Sequence, residues 1–283
     1  MKDRNKGILY MLLASLFFAL MASAVKYAGD LPTMQKVFFR NIVGFLISGY
    51  MIYRSGASFQ GTNKKYLFYR SLFGLIGVFL SFYAIDRLPL ADAVVLNQMN
   101  PFFVLILSAF FLGEKIKKLQ VPAIIIAILG VVFIIRPQFD YTVFPALMGL
   151  LSAVFAAAAY TIIRHLRLTD HPQVIVFYFT GFSVFSTLPF MLLGQFQIPT
   201  LFQLLALLSV GLFATIAQLL MTHAYRYAEA GDLSIYSYAK TVFSALLGIL
   251  LWAEIPDQFS LLGILLILLG AYINYRAKLD PEN

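Results

Sequence analysis

Lys240 stands inside a long apolar stretch, and Ser237, Lys240, Thr241, Ser244 and Gly248 follow i, i+3, i+4, i+7, i+11 spacing. On a helix these residues share one face. Lys240 lies about eight residues into the stretch, roughly 12 Å at 1.5 Å rise per residue. A lysine that deep costs at least about 2.5 kcal/mol against lipid. It is expected to face a wet cavity, where it can hold a carboxylate or phosphate. The structural alternative is a lysine that snorkels or pairs with a carboxylate of the chain itself. A shift of 140 residues puts Asn97, Asn100, Pro101, Val104 and Ser108 on the matching face of an earlier stretch. Facing each other, the two stripes would line a central cavity.

Other polar residues extend this set. Arg40 and Asn41 sit two turns into a further stretch. Arg40 can grip a carboxylate in a bidentate fork, or equally anchor a helix end. Thr215, Gln218 and Thr222 share a face, with His223 beside them near a helix end, where an interfacial role is expected. Tyr160, Tyr236 and Tyr238 add phenols, a residue type that also serves in belts and cores. The expected substrate-binding residues are Lys240, Arg40, Asn97, Asn100, Ser237, Thr241, Gln218, Tyr160 and Tyr236.

The chemistry that is missing narrows the field. The chain has no cysteine, no Gly-rich phosphate loop and no His-Glu metal motif. No metal, no cofactor and no catalytic residue is therefore expected. Paired carboxylates are absent from the candidate set, so an enzyme embedded in a membrane lacks its acid and base. No carboxylate falls mid-helix, which counts against simple proton or sodium coupling. Facilitated diffusion or exchange fits at least as well.

These residues need elements to hold them. Of 283 residues, 61% are hydrophobic and 12% charged, against roughly 45–50% and 25% in soluble domains. The net charge of +8 comes from clusters between apolar runs, a positive-inside pattern rather than a nucleic-acid groove. Ten segments are long enough to cross a bilayer as helices: 7–27, 34–53, 66–85, 92–112, 119–136, 144–165, 173–194, 202–224, 232–252 and 259–277. The first resembles a signal peptide ending near Ala22-Ser23-Ala24, but its apolar run exceeds the usual 7–15-residue core, and a retained helix is expected. With the N-terminus cytoplasmic, fifteen of the 21 Lys and Arg flank inside ends, Arg70 among them. Both termini are then cytoplasmic, in a bacterial-type inner membrane.

At the 140-residue offset, Asp92 falls on Asp232, Phe103 on Phe243, Glu114 on Glu254, Gly130 on Gly270 and Arg136 on Arg276. Helices 1–5 (residues 1–140) thus match helices 6–10 (residues 141–283). Five is odd, so the second copy enters from the opposite side, giving an all-α membrane protein of two inverted five-helix repeats. Asp92 and Asp232 are expected as helix N-caps. Glu114 and Glu254 close helices, where a carboxylate opposes the dipole and needs a partner. Lys26 is expected to be an interfacial anchor. Helices 5 and 10 carry no polar residue over 123–135 and 261–271, which suits lipid or the second copy of a homodimer. Gly74, Gly77 and Ser81, and Ala156 to Ala159, suit close helix packing.

Three stretches carry a family resemblance: Val37-Phe38-Phe39-Arg40-Asn41, the run from Ala91 to Glu114, and Leu251-Trp252-Ala253-Glu254. They resemble the drug/metabolite transporter superfamily, particularly its EamA family. Thr241 stands where that family commonly has proline, and Ala253 where it has glycine, so helix 9 is expected to be straighter than helix 4. The resemblance implies a carrier of amino acids, nucleosides, vitamins or similar metabolites. Related sugar-nucleotide carriers place a lysine comparably to Lys240. With cations deepest, the expected cargo is zwitterionic or anionic, an amino acid or derivative foremost. The alternatives are an exporter of drugs or cationic amines, a membrane-embedded enzyme, and a scaffold subunit.

Overall fold

The computed structural model describes residues 2–112, 116–135, 143–166, 169–227 and 230–279. Every regular element among them is helical: α1 (Lys2–Tyr27), α2 (Thr33–Ser55), α3 (Lys64–Ile85), α4 (Leu90–Asn97), α5 (Asn100–Leu112), α6 (Gln120–Ile135), α7 (Val143–Leu166), α8 (Pro172–Phe190), α9 (Leu201–Tyr227), α10 (Ala230–Ser237), α11 (Ala239–Trp252) and α12 (Gln258–Leu279). A short π-helical turn, Met191–Gln195, follows α8. The pairs α4/α5 and α10/α11 are each one rod with a break, so ten rods follow the ten expected segments in order. Among the described residues, eight spans are long and apolar enough to cross a membrane. The rod α6, at 16 residues, is shorter, and α2 carries Lys36, Arg40 and Asn41 in its first half.

The rods pack in pairs. The helix α1 lies along α9, α3 along α7, α2 along α8 and α6 along α12, while α11 crosses α4. Apolar residues of α3, α4, α6 and α12 form the main core, including Phe82, Leu90, Val95, Leu96 and Ile267. Around it stand exposed apolar side chains such as Ile125, Leu250 and Leu265, which suit a lipid surround. The outer faces of α6 and α12 are of this kind. Their inner faces meet so closely that a Cβ on Gly130 would lie 2.7 Å from the Gly263 carbonyl, and one on Gly270 2.7 Å from that of Ala123. Small residues admit such approach.

Polar residues fasten the two ends of the bundle. At the end where α1 finishes, the far end, the fully buried Lys36 binds Asp86 at 2.6 Å and the Gly29 carbonyl at 2.6 Å. Burial raises the Asp86 carboxyl above its ordinary range, and the facing Lys36 opposes that rise. Gln35 and Gln197 exchange hydrogen bonds there, side chain to backbone in both directions. At the near end, Asp170 accepts from the backbone N–H of Thr62 at 2.6 Å, and Gln120 donates to Asn274 at 3.0 Å.

Three expectations change. Asp92 is not an N-cap: Pro89 precedes the helix, and Asp92 sits in its first turn accepting from Ser260 of α12 at 3.0 Å. Asp232 likewise falls inside the first turn of α10. Lys26 is no simple interfacial anchor. It forms an ion pair with Glu254 and donates to the Leu88 carbonyl at 2.9 Å. Glu254 therefore has the partner its place at a helix end requires, and its second oxygen accepts the Leu90 N–H at 2.9 Å. Glu114 and Arg136 lie outside the described residues.

Candidate functional site

The centre of the bundle is set by the two breaks. Pro101 has no N–H, so the carbonyl four residues back, on Asn97, loses its helical donor. The Asn100 side chain supplies one at 2.9 Å. Rod 9 breaks without a proline, against the expectation of a straighter helix. The Thr241 N–H bonds Tyr238 three residues back, at 2.9 Å. That leaves the Ser237 carbonyl, which takes the Gln98 amide of the other break at 2.9 Å. The Ser15 hydroxyl of α1 reaches the Tyr236 and Ser237 carbonyls at 3.3 and 3.4 Å. Asn97 and Ser237, whose carbonyls are freed, are 140 residues apart. The two breaks thus touch through Gln98 and expose backbone where only protein or water can satisfy it.

Cations gather beside this crossing. Lys240 lies on the first turn of α11, half-buried, with its ammonium 5.7 Å from the centre of the Phe18 ring of α1. No carboxylate among the described residues pairs with it. Arg40 of α2 is within its electrostatic reach. Arg40 donates to Asn41 at 2.8 Å, and its guanidinium lies 5.5 Å from the centre of the Phe179 ring of α8. Arg70 of α3 lies over the same ring at 3.9 Å. Tyr160 of α7 brings its phenol within the field of both arginines, while 41% of the residue stays accessible.

The expected site residues do not all meet. Lys240, Arg40 and Tyr160 share one electrostatic neighbourhood. Thr241 is buried on α11, its hydroxyl without a partner. Asn97 donates to Ser152 of α7 at 2.9 Å, and Asn100 supports the break, so both amides are engaged in structure. Ser237 enters through its carbonyl. Gln218 lies half-buried on α9, the helix that runs along α1. Tyr236 packs with Met11, Ala224 and Leu233 towards the near end. His223 is exposed beside Tyr10, as expected for an interfacial histidine.

Arg70, Phe179, Gln98 and Ser15 were not singled out by sequence reasoning. Arg70 follows a cluster at a helix start and reads as a flanking charge. Its signal is its depth, six residues into α3, combined with Gly74 one turn on. A Cβ on Gly74 would lie 2.9 Å from Nη1 of Arg70 and 2.9 Å from the Phe179 ring. This glycine makes room for the pair, whereas Gly77 packs on the α7 backbone at Ala156 and Ser152.

The chain matches the model of the EamA-like transporter family twice, over residues 5–136 and 143–276. It is 36% identical over 278 residues to the pseudopaline exporter CntI of Pseudomonas aeruginosa, covering 97% of each chain. It is 32% identical to an uncharacterized transporter of Helicobacter pylori, covering 93% of this chain and 92% of that one. A riboflavin transporter of Rhizobium johnstonii is 25% identical, with 98% and 93% covered. A solved protein crystal structure with 20% identity has the same fold, at a TM-score of 0.68 over 94% of this chain and 95% of that one.

Proposed function

This chain belongs to the EamA-like transporter family, and we propose that it carries a small zwitterionic or anionic metabolite, of the amino-acid-derivative class, through a site between its two halves. The carrying observation is Lys240: a mid-rod ammonium beside Arg40, with no described carboxylate to neutralise it. A deep cation of this kind is stabilised by an anionic group of the cargo. Arg40, Tyr160, Thr241 and Gln218 complete the set that meets the ligand. Asn97, Asn100 and the Ser237 carbonyl hold the crossing in shape around it.

The two halves are residues 1–140 and 141–283, inserted in opposite senses, with both termini in the cytoplasm. The helix pairings support this reading. Exchanging rods 1–5 with 6–10 turns the α1–α9 pair into the α7–α3 pair, and returns α2–α8, α6–α12 and α4–α11 to themselves. Rocking of one half against the other then opens the site to each side in turn. The likeness to the pseudopaline exporter supports outward movement.

The test is thermal stability of the purified chain in detergent against amino acids, nucleosides, sugar phosphates and cationic amines. A ligand at about 100 times its dissociation constant stabilises the fold by roughly 2.7 kcal/mol. Carboxylates or phosphates are the expected hits, with the shift abolished by Lys240→Ala. A response confined to cationic amines overturns the cationic-site reading and points to drug or amine export.

A further inference from the structure

Arg40 and Arg70 present an electrostatic problem that the fold leaves unsolved. Both are 7% exposed, and a guanidinium does not shed its charge by deprotonation. They come from different helices and repel each other. Nε of Arg40 and Nε and Nη1 of Arg70 are buried without an acceptor. Among the described residues Arg40 donates to one side-chain acceptor, the neutral Asn41 amide. Their shared support is the face of Phe179, and a cation–π contact offsets only part of the cost of burying such a charge. Nothing in this arrangement requires two arginines for packing alone, and Gly74 keeps space for the second.

We propose that Arg40 and Arg70, over Phe179, form an acid-binding subsite distinct from Lys240, so that the cargo carries at least two separated acidic groups. The inference rests on the carrier reading above and deepens it. One carboxylate sits at the arginine pair, where two planar forks offer parallel N–H donors. A second acidic group sits at Lys240, a point charge within the field of Arg40. Tyr160, in the field of both arginines, offers its hydroxyl to the first carboxylate. A monocarboxylate zwitterion fills half of this site and leaves the other cation exposed to its neighbour.

The experiment is a binding titration of the full chain in detergent, read by thermal shift, with glutamate, glutamine, tricarballylate and inorganic phosphate as probes. Glutamate and glutamine differ by one negative charge at nearly equal size. Glutamate and tricarballylate are expected to bind about tenfold to hundredfold tighter than glutamine, the range of a charge-assisted hydrogen bond. Arg70→Gln should erase that preference by weakening glutamate more than glutamine, and Arg70→Lys should keep part of it. Without ligand, Arg70→Gln should melt no lower than the parent, since it removes a buried like charge. Equal binding of glutamate and glutamine, preference for phosphate over both carboxylates, an unchanged preference in Arg70→Gln, a lower melting point without ligand, or no response to any probe each overturns the subsite. The carrier reading fails separately, if Lys240→Gln and Arg40→Gln leave binding of every ligand unchanged.

Discussion

Rods 4 and 9 break at places 140 residues apart by different means. In rod 4 the cause is local: Pro101 removes a donor and Asn100 replaces it within the same chain segment. In rod 9 the cause is remote: Gln98 and Ser15 hold carbonyls that an intact helix would have kept. The residues at the 140 offset also part company in role. Asn100 closes its own break, while its counterpart Lys240 points past Phe18 with no described carboxylate. The amide at one position is engaged in structure, and the ammonium at the matching position is the one that the proposed function assigns to a ligand. Similar shape therefore does not impose similar roles on matched positions.

Six substitutions probe this contrast. Lys240→Ala should reduce flux in proteoliposomes by at least about a hundredfold, since loss of one partner of a buried charge pair costs about 2–5 kcal/mol; Asn100→Ala should instead lower melting temperature more than substrate affinity. If the two exchange these phenotypes, the division of roles is wrong. Gln98→Leu should destabilise the protein by about 1–1.5 kcal/mol, the upper net worth of one hydrogen bond, since Ser15 still reaches the Ser237 carbonyl, measurable by thermal melting in detergent. Thr241→Pro should cost no more than about 1.5 kcal/mol, because the Ser237 carbonyl is held elsewhere and the loss is the one bond from the Thr241 N–H to Tyr238; Ala245→Pro, in the regular part of α11, should cost about 3 kcal/mol or more. Equal damage from both prolines would mean that rod 9 is not broken in the membrane. Ala253→Gly should stabilise by about 1 kcal/mol, because Ala253 has φ 52° while its N–H caps α11 and the Glu254 N–H reaches back to Gly248.

What the sequence made legible follows from the range of each interaction. Apolar length placed the rods, and depth within a rod picked out Lys240. The unfavourable dipole at Glu254 correctly demanded a partner, though not that the partner would be Lys26, 228 residues away. The break at Tyr238 was illegible because no residue near it breaks helices; its cause lies on Ser15 and Gln98. Arg70 was hidden for a related reason. Distance from a helix start measures depth, but only packing against Phe179 and Gly74 shows that its charge turns inward.

The pairing of α6 with α12 has a consequence for how the chain is made. Gly130 of α6 with Gly263 and Gly270 of α12 brings the two backbones together, and Gln120 bonds Asn274 near the end of the last helix. At about 5–20 residues per second, α12 leaves the ribosome on the order of ten seconds after α6. For that interval α6 is short of its mate while α7 to α11 are inserted around it. The final helix acts as a keystone: a chain cut before residue 258 would leave Gln120, Ala123 and Gly130 of α6 without the α12 backbone and Asn274 that cover them.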